Sequence, residues 1–222
     1  MNGEPPRIKL AVVTGGHAFD VPNFHRLFRR LPGVDAYVQP MDDFASSSQG
    51  IRDGYGCILF YHMLKGSPLD AGQPGHATKT LTALERIKET GQGLVVMHHA
   101  LLAYELWPDW RELSGINPVF RSYQHDQRLK VGVLNPEHPI TAGLTGFELV
   151  DETYEMDEPD AGNEILLATD HPQCVKALAW TRRFGRSKVF CCVPGHDNQS
   201  WSSPIFGEVL RRGILATLPD LR

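Results

Sequence analysis

Ten histidines in 222 residues are many, and their placement matters more than their number. His17, His62 and His98 each follow a stretch that reads as a strand: Ile8 to Val13, Cys57 to Tyr61 and Gly93 to Met97. Parallel strands of an open α/β sheet end on one edge, and that edge is where ligands bind. Imidazoles placed there can titrate near neutral pH, donate hydrogen bonds or ligate a metal ion. His196, after the expected strand Lys188 to Val193 and the turn Pro194-Gly195, can join the same crevice; His99, next to His98, faces away from it if the strand alternation continues. Carboxylates come from Asp151-Glu152-Thr153-Tyr154, where a strand runs out, and on extended backbone Glu152 and Tyr154 point to one side and Asp151 to the other. The competing reading is a solvated acidic loop, since Glu155, Asp157, Glu158 and Asp160 follow closely. Histidines and carboxylates together suit general acid–base work. They are also the ligands of a catalytic Zn²⁺ or similar ion, although spacing alone does not show a metal.

The elements that must position these residues alternate between strand and helix. Gly93-Leu-Val-Val-Met97 is an uninterrupted apolar run after a helix-ending Gly91, which predicts a strand buried on both faces. Phe24, Leu27, Phe28 and Leu31 lie on one helical face stopped by Pro32-Gly33, and Leu81, Leu84 and Ile87 mark a second amphipathic helix. Asp35 to Gln39 reads as a short strand, and the loop from Gly66 to Gly75 as a flap. This is the pattern of a doubly wound parallel sheet. After about residue 117 the segments Leu129 to Leu134, Phe147 to Val150, Glu164 to Ala168, Val175 to Trp180 and Ser187 to Val193 are short and turn-bounded, which predicts antiparallel additions at the sheet edge. Ser203 and Pro204 open a last helix whose buried face is Ile205, Phe206, Val209, Leu210 and Ile214. The whole chain, 1–222, reads as a single α/β domain with its core at about 8–217.

Composition excludes several functions. A net charge of -4 with no run of Lys or Arg argues against nucleic acid or an anionic membrane as partner, leaving small molecules and, open, a second copy of the chain. Met1 to Arg7 has no signal layout and no stretch reaches the roughly 20 apolar residues of a membrane span, so a cytoplasmic protein is expected. Cys57, Cys174, Cys191 and Cys192 lack C-x-x-C spacing and read as reduced core residues. The G-x-G-x-x-G, P-loop, G-x-S-x-G and H-E-x-x-H patterns are missing.

In combination, Gly15-Gly16-His17, Gly93-Leu-Val-Val-Met-His98, His138-Pro-Ile-Thr-Ala-Gly143-Leu144, Asp151-Glu-Thr-Tyr154 and Gly195-His196-Asp197 with Trp201 resemble the ThuA-like, or trehalose utilisation, family from about Ile8 to Thr217. The resemblance implies a flavodoxin-like, class I glutamine amidotransferase-like three-layer sandwich, mainly parallel in its central sheet with antiparallel additions in the C-terminal half. Amidotransferases keep a cysteine nucleophile at a sharp turn after a central strand. Here His98 stands at that position, so glutamine amidotransferase activity is not expected. What the resemblance does imply is breakdown of trehalose or a related glycoside already oxidised to a 3-ketone, by elimination or hydrolysis. On that reading His98 or Glu152 is the base, His17, His196 or a divalent metal such as Zn²⁺ stabilises the enolate oxygen, and Tyr154 or Asp197 orients the sugar. His62, His125 and Trp201 complete the expected sugar-binding set; Trp201 and Phe120 could equally be core, and His138 reads as part of a structural turn. The alternative is a catalytically silent module that binds a sugar or a partner with the same fold.

Overall fold

The computed structural model describes residues 7–70 and 76–219. Its apolar runs form the centre of a nine-stranded sheet. β1 (Ile8–Gly15), β2 (Val34–Pro40), β3 (Cys57–His62) and β4 (Gly93–Met97) are parallel and lie side by side in the order β2-β1-β3-β4. Every residue of β3 and β4 is buried, as strands covered on both faces require. The connections are α1 (Val21–Arg29), α2 (Met41–Ser46) with α3 (Gln49–Asp53), and α4 (Ala77–Thr90). The chain reverses its direction across the sheet after β2, so right-handed crossovers put α1 on one face and α2 and α4 on the other. The Asp20 side chain caps α1 by accepting from the Asn23 N–H, and Phe24, Leu27 and Phe28 are its buried stripe. Gly91 closes α4 at φ 73°. Of the loop expected to act as a flap, Gly66 to Asp70 is described, with the Asp70 carboxylate accepting from Ser67 N–H and Oγ–H at 2.9 and 2.7 Å; residues 71–75 lie outside the described residues.

The C-terminal half departs from expectation in two ways. It contains α5 (Pro108–Ser114), β5 (Phe120–Val133), β6 (Phe147–Met156), β7 (Glu164–Ala168), β8 (Ala177–Phe184), β9 (Ser187–Cys192), α6 (Asn198–Trp201) and α7 (Pro204–Thr217). First, β9 is no antiparallel edge addition: it lies parallel to β4, from Leu94 opposite Val189 to Met97 opposite Cys192. The β8–β9 hairpin turns at Gly185, φ 55°, and returns the apolar run Val189 to Cys192 to the middle of the sheet, where it is buried. The order is β2-β1-β3-β4-β9-β8-β7-β5-β6, parallel as far as β9 and antiparallel beyond, so the sheet is mixed.

Second, β5 and β6 extend well past the segments expected. They pair from Phe120 opposite Met156 to Val131 opposite Phe147, with register shifts between Phe120 and Ser122 and between Gln124 and Gln127. Only Gly132 and Val133 of β5 pair with β7, so most of the two strands forms a ribbon that leaves the sheet. Tyr154 C=O accepts from Val175 N–H at 2.7 Å, which folds the ribbon back over the entrance to β8. Asp151, Glu152, Thr153 and Tyr154 are therefore buried strand residues and not a solvated acidic loop. α7, capped by Ser203 and buried through Phe206, Val209, Leu210 and Ile214, lies on β4 and β9. One contiguous apolar cluster runs from Leu10 to Ile214. No helix among the described residues is long and apolar enough to cross a membrane.

Candidate active site

The chain leaves β4 at His98 with φ 58°, a left-handed value uncommon for a non-glycine residue, and enters a 3₁₀ turn over His98–Leu102. That turn throws the His98 ring across the end of β9, where Nδ1 lies 2.8 Å from Val193 C=O. A carbonyl only accepts, so Nδ1 carries the hydrogen and, in the neutral ring, Nε2 offers a lone pair. Three groups converge on Nε2: the Tyr154 hydroxyl at 2.7 Å, His196 Nδ1 at 3.2 Å and Glu152 Oε2 at 3.2 Å. His196 Nδ1 and Glu152 Oε2 are 3.4 Å apart, and the other oxygen, Glu152 Oε1, is 3.0 Å from His125 Nδ1. Glu152 and Tyr154 do point to one side of β6, as their alternation predicts.

Burial acts to raise the Glu152 carboxyl, but its contacts with His98 and Tyr154 outweigh this and hold the group below the ordinary carboxylate range. Burial lowers the His196 imidazole, the neighbouring His98 adds to this, and Glu152 and Asp197 oppose it. Burial pushes the Tyr154 phenol well up, and the adjacent Glu152 charge adds to this. At neutral pH the site thus holds a carboxylate, a neutral His196 and a protonated phenol. His98 Nε2, His196 Nδ1 and a Glu152 oxygen also make up the set of donors among the described residues able to hold a metal ion.

Asp151, on the opposite side of β6, holds this assembly together. Its carboxylate accepts from the N–H groups of Gly195 at 2.6 Å, His196 at 3.0 Å and Glu152 at 2.8 Å. Burial pushes its carboxyl up, while the three backbone donors act the other way. The Tyr61 hydroxyl donates to His196 C=O at 2.9 Å, so the His196 backbone is held from two sides. Gly195 sits at φ 131°, and a Cβ there would come within 3.1 Å of Met97.

Residues 55–215 match the trehalose utilisation (ThuA) family. The chain belongs to the ThuA family. No curated protein sequence matches it. Among solved structures, a ThuA-like protein from Parabacteroides merdae superposes with a TM-score of 0.74 at 17% identity, over 95% of this chain and 90% of that one. A cytoplasmic protein from Salmonella typhimurium gives 0.64 at 12% identity, over 96% and 100%. The PurLQS structure from Thermotoga maritima gives 0.61 at 13% identity, over 95% and 98%. These likenesses establish the α/β fold with a large mixed sheet that ThuA proteins share with glutamine amidotransferase-like folds.

Within this ThuA-family chain the expected site residues separate into two groups. His98, Glu152, His196, Tyr154 and His125 come together. His17 is exposed at the rim, its ring 4.7 Å from His99 and 6.1 Å from His196. Gly16 sets this approach: at φ 72° its missing Cβ would meet the Met63 backbone at 2.7 Å. Asp197 caps α6, accepting from Gln199 N–H at 2.7 Å, beside His196. Two residues do not belong. Trp201 is buried against Phe24 and donates Nε1–H to Gly195 C=O at 2.8 Å, so it braces the His196 turn and presents no face to a sugar. His62 is buried among Phe60, Tyr104 and Trp110, neither ring nitrogen has a hydrogen bond among the described residues, and burial pushes its imidazole down to about 3. His99 is likewise buried; the 3₁₀ turn, replacing the expected strand, puts its ring 5.3 Å from His98 and 4.2 Å from Tyr61. Sequence reasoning did not single out Tyr123, which is exposed, stacks with Phe120 and lies 5.1 Å from His125. The four cysteines are buried, and burial pushes all their thiols up, Cys57 and Cys174 to about 12. The site therefore contains no thiolate, and the position after β4 is filled by His98.

Proposed function

We propose that this ThuA-family chain is an enzyme acting on a 3-keto glycoside, such as a trehalose derivative, at the edge formed by His98, Glu152, His196 and Tyr154. The observation that carries this reading is the convergence of an ionised carboxylate, two imidazoles and a protonated phenol on one point, reached from solvent past His17 and His125. A ketone at C3 acidifies the proton at C2. Glu152 is the base: the C2 proton passes to its carboxylate and the electron pair moves to the C3 oxygen as an enolate. The Tyr154 hydroxyl and an N–H of His196 or His17 stabilise that oxygen by hydrogen bonding in a water-poor setting. Collapse of the enolate breaks the C1–O bond, and the departing oxygen takes a proton from His125 or His17 at the mouth. Such a route needs no pair of carboxylates flanking the glycosidic bond. The exposed Phe120 and Tyr123 rings offer a wall for a sugar face. A cytoplasmic setting is supported by the Salmonella neighbour and by the buried, unpaired cysteines.

The test is incubation of the purified chain, with and without divalent metals, with a 3-keto disaccharide, and chromatographic detection of the released monosaccharide. Cleavage that disappears in a folded Glu152→Gln variant is the expected result. No cleavage under any of these conditions overturns the proposal.

A further inference from the structure

We infer that His98 Nε2, His196 Nδ1 and Glu152 Oε2 form a three-donor site for a divalent transition-metal ion. The argument is geometric. Zn–N bonds run about 2.0–2.1 Å and Zn–O bonds about 2.0–2.2 Å, so donors placed around one ion at angles between 90° and tetrahedral stand roughly 2.9–3.4 Å apart. The three separations here are 3.2, 3.2 and 3.4 Å. Hydrogen bonding alone satisfies this arrangement poorly. His98 Nε2 can make one hydrogen bond in the plane of its ring, yet the Tyr154 hydroxyl, His196 Nδ1 and Glu152 Oε2 all crowd it. A cation shared by the two imidazoles and the carboxylate resolves the conflict and leaves the Tyr154 hydroxyl free to meet an oxygen bound beside it.

The surroundings have the form that metal sites require. His98 donates Nδ1–H to Val193 C=O, which fixes the tautomer with Nε2 outward. Asp151 and Tyr61 fix the backbone that carries His196, and His125 holds the second oxygen of Glu152. Two imidazoles and one carboxylate suit Zn²⁺ and its Co²⁺ and Mn²⁺ analogues; Mg²⁺ and Ca²⁺ favour oxygen alone. Three protein donors leave positions open on the solvent side, where a ketone oxygen of the proposed sugar can bind while Glu152 Oε1, the oxygen not on the ion, keeps the role of base. Only this last point rests on the sugar reading; binding of the ion does not.

The experiment uses the full chain stripped with chelator and titrated with Zn²⁺ by calorimetry and with Co²⁺ by visible absorption. One ion per chain is expected, with a Co²⁺ spectrum of low coordination number, and Glu152→Gln and His196→Ala should each weaken binding at least 100-fold. His196 keeps 19% of its side chain exposed, against 5% for Glu152, so its replacement serves if the Glu152 variant fails to fold by circular dichroism. Failure of the wild type to take up Zn²⁺, Co²⁺ or Mn²⁺ at one per chain overturns the inference, as does binding within threefold of wild type in both variants. The two proposals fail separately. Metal uptake without ketosugar cleavage keeps the site and sinks the sugar reading, whereas cleavage by a chain that binds no ion does the reverse.

Discussion

The parallel half of the sheet and the antiparallel half deliver different chemistry to the same edge. β1, β3 and β4 bring imidazoles, and the β5–β6 ribbon brings a carboxylate and a phenol. Left to the parallel half alone, a buried strand-end histidine is inert. His62 and His99 are buried, and burial holds both imidazoles neutral. His98, one residue from His99, has four polar groups within reach, all of them on residues beyond position 150. Position at the carboxyl edge is therefore not enough. A histidine there becomes a candidate for chemistry only when the other half of the chain supplies its partner.

Removing that partner is the most severe way to test this difference. Glu152→Gln keeps the shape but not the charge, and is expected to lower kcat/KM on a 3-keto disaccharide about 10³-fold, the scale of a lost general base. A variant within tenfold of wild type would place the chemistry elsewhere. Next in size is the link between the halves. Asp151→Asn turns an amide N–H₂ toward backbone N–H groups of β6 and the His196 turn, and should cost about 3 kcal/mol in urea unfolding. An unchanged midpoint would mean that the ribbon is not tied to the β9 turn through this side chain.

A third test addresses the inert histidines. The unfolded His62 imidazole has its ordinary value of 6.5 and the native one is held down to about 3, so between these pH values the unfolded chain binds a proton that the native chain refuses. Its contribution to stability is complete above about pH 6.5 and is lost as pH falls toward 3. His62→Leu should therefore flatten the acid-side slope of unfolding free energy by up to about 1.4 kcal/mol per pH unit, one proton's worth. Equal slopes in the two proteins would show that His62 titrates as though exposed. The smallest effect belongs to the outer ribbon. The Arg128–Glu148 pair is 3.0 Å apart but largely exposed, so Glu148→Ala should move the melting temperature by less than about 2 °C.

The sequence made the parallel half legible because its strands are covered on both faces. Cys57 to Tyr61 and Gly93 to Met97 are uninterrupted apolar runs, and the α1 and α7 stripes repeat at helical spacing. The ribbon was hidden for the opposite reason. Arg121, Gln124, Asp126 and Gln127 are polar and mostly solvent-facing, and the two register shifts in β5 break the alternation that marks a strand. The shared side of Glu152 and Tyr154 could be read from β-strand periodicity, but the role of Asp151 could not, because two of its three backbone N–H donors lie more than 40 residues away. His62 and Trp201 were misplaced for a related reason: chain position fixes where a Cα lies, and the direction of the ring depends on Tyr104, Trp110 and Phe24, which come from other elements.

The insertion of β9 between β4 and β8 has a consequence for how the molecule is made. During synthesis from the N-terminus, β4 emerges with one apolar flank unpaired, and the strand that covers it is not complete until residue 192. Folding of the centre waits for the end of the chain, a long-range closure that slows the process and prolongs exposure of a sticky edge. A product truncated before Ser187 is thus a target for proteases and self-association, not a smaller working protein.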